Sequence, residues 1–180
     1  MSEEADAARV RDCLAGDPQA FAALVEQYER PVFNVAVRML RNPEDARDVA
    51  QTVFLKAYQN LSSYDPRFKF YSWIYRMAIN ESLDILRVRG RSAGPVDEQF
   101  PTDDAGPTEL LATDQLRGVV LDAVQKLNPE HRAVIVLRYF VDRSYEDMAQ
   151  ILGIEAGTVK SRLYEARQQL KEQLASRGAL

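Results

Sequence analysis

The sequence predicts an all-α protein of two small helical domains joined by a flexible acidic linker. Three observations predict this: apolar residues recur at helical steps of three and four, no segment sustains the alternation of a strand, and the acidic excess sits in one Pro- and Gly-containing stretch. The chain has 180 residues and a net charge of −4, enough for one medium domain or two small ones. Residues 1–91 carry 13 Lys and Arg against 13 Asp and Glu, residues 92–115 carry none against 6, and residues 116–180 carry 10 against 8. The flanking parts are therefore free to present local basic faces despite the net negative charge.

The helices announce their starts. Asp17-Pro18, Asn42-Pro43 and Asn128-Pro129 each pair an N-cap residue with a proline in the first turn. Between Asp17 and Leu40 the set Phe21, Leu24, Val25, Tyr28, Val32, Phe33, Ala36 and Met39 keeps helical spacing, with a kink expected at Pro31. From Pro43 to Asn60 the set is Ala46, Val49, Ala50, Val53, Phe54 and Ala57.

An aromatic and polar cluster follows, YDPRFKFYSWIYRMAINESLDILRVRGR, from Tyr64 to Arg91. Tyr64, Phe68, Phe70, Tyr71, Trp73 and Tyr75 are interleaved there with Arg67, Lys69 and Arg76. Six aromatics in twelve positions exceed one buried stripe, so some line a groove or face outward. Rings beside cations suit the stacking and backbone neutralisation of single-stranded nucleic acid. The plainer reading is a small core with basic side chains reaching out of it. We expect both, with Trp73 and Phe70 chiefly core and Tyr64, Phe68 and Tyr71 divided between core and surface. Asn80 follows the apolar Ile74, Met77 and Ala78, where its amide can pair with a base edge.

The stretch RSAGPVDEQFPTDDAGPTELLAT, from Arg91 to Thr113, holds three prolines and two glycines with little apolar periodicity. Proline and like-charge repulsion favour an extended spacer. A sharper alternative is an acidic mimic of nucleic acid that occupies a basic groove.

Beginning at Ser144, SYEDMAQILGIEAGTVKSRLYEARQQL has the spacing of a helix-turn-helix: Ala149 lets a second helix approach, Gly153 allows a positive φ in the turn, and Val159 packs the second helix back. Val159, Leu163, Ala166, Leu170 and Leu174 fall on one face, and Lys160, Tyr164, Arg167 and Lys171 on another. Lys160, Ser161, Arg162 and Tyr164 near the N-terminal end supply donors for a major groove. A basic outer face is equally a solvated surface; the alanine, glycine and valine register favours DNA.

Taken together, DARDVAQTVFLKAYQNLSSYDPRFKFYSWIYRMAINESLDILR and LNPEHRAVIVLRYFVDRSYEDMAQILGIEAGTVKSRLYEARQQL resemble regions 2 and 4 of a bacterial extracytoplasmic-function sigma factor. The resemblance implies region 2 over residues 1–91, a linker over 92–115 and region 4 over 116–180. It implies an alternative sigma factor that binds core RNA polymerase and directs it to promoters by recognising −10 and −35 elements and melting the −10. By the same resemblance, Asp45, Asp48, Gln51, Phe54 and Lys56 dock on the β′ clamp, and region 4 meets the β flap. Tyr64, Phe68, Lys69, Tyr71, Trp73, Arg76 and Asn80 open the −10 element and hold a flipped non-template base. Thr158, Lys160, Ser161, Arg162, Tyr164 and Arg167 contact the −35 duplex. Family members commonly carry an acidic residue where this chain has Thr52, so the clamp contact is carried over without its detail at that position, and a basic one where it has Glu165, so no particular −35 sequence follows. They are usually held inactive by an anti-sigma factor, often membrane-anchored, which implies such a partner and a cytoplasmic location, at times at the inner membrane face.

Other classes fit less of the chain. A free-standing helix-turn-helix regulator leaves the aromatic cluster without a role, and a protein-only adaptor leaves both basic faces without one. An enzyme has no phosphate-binding glycine loop and no nucleophile–histidine motif here, and we expect no cofactor and no small-molecule substrate. One cysteine, Cys13, makes no internal disulfide, and with one histidine, His131, there is no zinc set. The longest apolar runs, such as Ala133–Leu137, are too short to span a bilayer, and MSEEADAARVRD has no apolar signal core.

Overall fold

The computed structural model describes residues 3–92 and 110–176, and these form helices and short connections with no strand among them. The order is α1 (Glu3–Leu14), α2 (Pro18–Leu40), α3 (Pro43–Gln59), a 3-10 turn (Leu61–Ser63), α4 (Phe70–Ser92), α5 (Leu110–Gln125), α6 (Pro129–Ile135), a π-helical turn (Val136–Phe140), α7 (Tyr145–Leu152) and α8 (Ala156–Ala175). α1–α4 pack around α2 and α5–α8 around α8, and their buried side chains join into one continuous core.

The starts of α2, α3, α6 and α7 are fixed by side-chain caps. Asp17 accepts from the Gln19 amide at 2.9 Å, Asn42 from Glu44 and Asp45 at 2.9 and 3.2 Å, Asn128 from His131 at 2.8 Å and Ser144 from Asp147 at 3.0 Å. Such a cap contributes about 1 kcal/mol each. α2 ends on Arg41 at φ 54°, whose amide returns to the Val37 carbonyl at 2.8 Å. The kink expected at Pro31 does not divide α2, because the buried Tyr28, Val32 and Val35 hold both sides of it against the core.

Residues 93–109, most of the linker, lie outside the described residues. α5 already begins at Leu110, inside the stretch expected as linker. The last proline there is Pro107, and Leu110, Leu111 and Ala112 are strong helix formers.

The apolar face of α8 buries Val159, Leu163 and Ala166 fully, and Leu170 packs partly against them. Gly153 sits at φ 66° and closes α7 by donating to the Ala149 carbonyl. That left-handed conformation is the one glycine adopts without strain. In the π-helical turn the Val141 amide reaches the Val136 carbonyl at 3.2 Å, which leaves Tyr139 and Phe140 exposed.

Candidate nucleic-acid and polymerase interfaces

The loop leading into α4 is closed by its own side chains. The Tyr64 hydroxyl donates to the Phe68 carbonyl at 2.5 Å. Asp65 accepts from the Arg67 amide at 3.0 Å and from its guanidinium at distances down to 2.6 Å. Those bonds hold the Asp65 carboxyl below the usual carboxylate range. Behind the loop, Tyr64, Phe70 and Trp73 form a mutual cluster with centroids 5.5–5.8 Å apart. Phe70, Tyr64 and Tyr75 are buried, Trp73 and Tyr71 are half-buried, and Phe68 is 48% exposed. Tyr64 therefore falls on the core side and Phe68 on the surface.

A cavity of about 240 Å³ opens between this loop and α4. Tyr64, Asp65, Phe68, Ser72, Trp73 and Arg76 line it, and Gln150 of α7 completes the wall. The Ser72 hydroxyl and the Gln150 side-chain oxygen are buried without a hydrogen-bond partner among the described residues. Aromatic walls, a cation and an unpartnered hydroxyl make a space suited to one planar, polar-edged ring. Four of the seven −10 candidates meet here: Tyr64, Phe68, Trp73 and Arg76. Lys69 and Tyr71 lie to one side, facing the helix-turn-helix. Asn80 is exposed one turn beyond Arg76 on α4, outside the cavity. Asp65, Ser72 and Gln150 are cavity residues that sequence reasoning missed: a lone serine among aromatics carries no periodic signal, and Gln150 reaches the wall only through the packing of α7 on α4.

On the other side of the first bundle, the polymerase candidates divide. Asp48 and Gln51 are exposed on α3. Asp45 is ion-paired with Arg89 and Lys56 with Glu81, so both tie α3 to α4. Phe54 is 9% exposed and belongs to the core. Its edge, with Ala50, Gln51 and Arg47 of α3 and Val25, Glu29, Arg30 and Phe33 of α2, lines a groove of about 760 Å³. The α2 side of this groove and the exposed Leu55 and Tyr58 were missed, because α2 periodicity reads as core alone.

In the second bundle, Thr158, Lys160, Ser161, Tyr164 and Arg167 are exposed along α8, and Arg162 is half-buried. The Ser161 hydroxyl donates to the Gly157 carbonyl at 3.1 Å. Lys160 lies 5.8 Å from the Tyr145 ring, and Arg167 donates through Nε to the Tyr139 hydroxyl at 2.7 Å. Glu165 turns to His131, with Oε2 3.3 Å from Nε2, while the Gln169 oxygen lies 3.3 Å from Nδ1. Among the described residues no group of three His, Cys, Asp or Glu side chains is placed to hold a metal ion. No described helix is long and apolar enough to cross a membrane.

Comparison with known proteins places the chain in a family. The family model for Sigma-70 region 2 matches residues 24–92, and that for Sigma-70, region 4 matches residues 117–170. The chain is 33% identical over 177 residues to the ECF RNA polymerase sigma factor SigW of Bacillus subtilis, covering 92% of this chain and 95% of that one. It is 32% identical over 187 residues to the RNA polymerase sigma-H factor of Pseudomonas aeruginosa, covering 97% and 96%. The ECF RNA polymerase sigma-E factor of Escherichia coli K12 is 33% identical over 180 residues, covering 93% and 94%. In fold, the chain is similar to CnrH solved in complex with the cytosolic domain of CnrY, with a TM-score of 0.73, 25% identity and coverage of 96% and 98%. It also shares the fold of the Bartonella quintana sigma factor RpoE solved with the anti-sigma factor NepR, with a TM-score of 0.70, 24% identity and coverage of 86% and 96%. With two family regions in order and relatives matched over nearly their whole length, the chain belongs to the ECF sigma factors, which direct RNA polymerase to promoters.

Proposed function

We propose that residues 1–91 dock on the β′ clamp and melt the −10 element, while residues 116–180 read the −35 duplex and meet the β flap. The observation that carries the −10 assignment is the cavity between Tyr64 and Arg76 with its unpartnered Ser72 hydroxyl. Unstacking a base costs a few kcal/mol, and restacking on an aromatic ring returns roughly 1–3 kcal/mol per base. Phe68 supplies the exposed ring, Trp73 the wall and Ser72 a hydrogen-bonding group for a base edge. Arg76 and Lys69 neutralise the flanking phosphates. Asn80 contacts the strand one turn further along α4.

On α3, Asp48 and Gln51 meet the clamp directly, and Asp45, Phe54 and Lys56 hold α3 in place beneath them. On α8, Lys160, Arg162, Tyr164 and Arg167 face base edges, and Thr158 and Ser161 lie near the backbone at the helix start, where free amides favour phosphate. The chain supplies no catalytic group, takes no cofactor and no small-molecule substrate, and leaves catalysis to the polymerase. It works in the cytoplasm under an anti-sigma factor, in line with the partnered state in which its fold neighbours were solved. Such a partner, if membrane-anchored, holds the protein at the inner membrane face.

Run-off transcription tests this: the protein is added to bacterial core polymerase with fragmented genomic DNA from its source, and RNA 5′ ends are sequenced. Protein-dependent starts sharing two upstream motifs are the expected result. No such starts, with core binding absent, would move the protein to the free-standing regulators.

A further inference from the structure

We infer that Glu165 is a specificity-determining residue of α8, whose carboxylate accepts a hydrogen bond from the N4 amino group of one cytosine in the −35 element, and that His131 of α6 positions it. The inference rests on the assignment of α8 to the −35 duplex and names a base that this helix reads. Between Ala156 and Lys171, Glu165 is the one acid among Lys160, Arg162, Arg167 and Lys171. Ser161 and Gln168 stand one turn before and after it, all three exposed and opposite the buried Val159, Leu163 and Ala166. The Ser161 hydroxyl is spent on the Gly157 carbonyl at 3.1 Å. Glu165 is therefore the strongest acceptor on the outer face, with its side chain 60% exposed.

The carboxylate is also held. The buried His131 ring spans two turns of α8, with Nε2 3.3 Å from Glu165 Oε2 and Nδ1 3.3 Å from Gln169 Oε1. His131 is itself placed by the cap of α6, where its amide donates to Asn128 Oδ1 at 2.8 Å. One oxygen of Glu165 is thus tethered to the domain core, and Oε1 has no hydrogen bond or ion pair among the described residues. A tethered side chain has less rotamer freedom to lose when it meets a base.

The chemistry selects the base. An ionised carboxylate can only accept. In the major groove guanine presents two acceptors, thymine an acceptor and a methyl group, and adenine its N6 donor beside the N7 acceptor. Cytosine alone offers a donor and no acceptor on its own edge, so neither carboxylate oxygen faces a lone pair of that base. The four flanking cations offset repulsion between the carboxylate and the phosphates. Glu165 thus rejects three bases as well as accepting one, which is how a single contact discriminates.

The test uses the holoenzyme and a promoter found by run-off transcription, with each −35 base pair replaced in turn and binding followed by promoter-shift titration. At one position wild type should prefer cytosine by about tenfold, the discrimination of one base-specific contact. Glu165→Ala should bind all four bases there within about twofold and keep the wild-type preferences elsewhere. Glu165→Gln, which can pair with adenine N6 and N7, should move the preference to adenine. N4-methylcytosine at that position keeps the base pair but removes the major-groove proton, and should cost wild type about tenfold and Glu165→Ala nothing. His131→Leu should weaken the cytosine preference at that position alone, and His131→Gln, which keeps a donor, should restore it. Thermal denaturation checks that each variant is folded. Preferences unchanged by Glu165→Ala, or binding weakened equally for every sequence as a merely structural role requires, overturn the inference. A full cytosine preference in His131→Leu overturns the positioning role. Wild-type promoter binding by Lys160→Ala and Arg162→Ala holoenzymes would instead overturn the assignment of α8 to the −35 duplex.

Discussion

Two arginines show how one chemical group serves opposite ends. Arg132 is 7% exposed, and its guanidinium donates to the carbonyls of Met39, Gln125 and Leu127. Burial pulls its pKa down to about 10, which still leaves it charged at neutral pH. Arg132→Met strands those carbonyls, and should lower stability by about 2–3 kcal/mol, read as a fall in urea midpoint at unchanged slope. Arg167 is exposed and aimed, held by the Tyr139 hydroxyl. Tyr139→Phe keeps the ring and removes the acceptor, so −35 binding by the holoenzyme should weaken by roughly 0.5–1.5 kcal/mol, with unchanged thermal stability. Binding equal to wild type in a promoter-shift titration would deny Tyr139 that positioning role. Asp6 is a case the sequence concealed: in an acidic N-terminus it reads as solvated. In the fold it is 3% exposed and accepts from the Tyr28 hydroxyl at 2.5 Å and Gln27 at 2.8 Å. Only the partner α2, some twenty residues on, reveals it.

At the level of elements, local chemistry was legible wherever it is self-contained. The caps at Asp17, Asn42 and Asn128 act within three residues, and all three form as their dipeptides predict. The helix-turn-helix was readable for the same reason: Gly153 takes the left-handed turn and Val159 is fully buried. Gly153→Ala should cost about 1–2 kcal/mol, because φ 66° disfavours a Cβ, and thermal denaturation would check it. What escaped notice were features made by pairs of elements. The groove between α2 and α3 needs Phe33 beside Phe54, and the cavity needs Ser72 opposite Gln150. Helical periodicity marks such residues as inward-facing and is blind to the gaps between helices. The π-helical turn that exposes Tyr139 is a further case, since VIVLRYF carries no signal for a change of helical pitch.

For the whole molecule, the contacts between bundles set the behaviour, and none of them could be read from a chain whose partners lie some 75 residues apart. One of them responds to acid. Desolvation alone would raise the Asp147 pKa, but hydrogen bonds with Tyr71, Ser144 and Lys69 outweigh it and hold the carboxyl below its usual range. A carboxyl depressed in the folded state contributes stability above its unfolded pKa and loses it as pH falls through the folded value. Going from about pH 5 to about pH 3 should therefore weaken the α4–α7 contact, and Asp147→Asn should flatten that part of the melting-temperature profile. The division of labour between two nucleic-acid faces is the central claim, and the −10 cavity is its most specific part. Permanganate footprinting of a promoter with wild-type and Trp73→Ala holoenzymes tests it most directly. The variant should retain closed-complex binding and lose thymine reactivity across the −10 element; a footprint identical to wild type would remove the Trp73 cavity from the melting step.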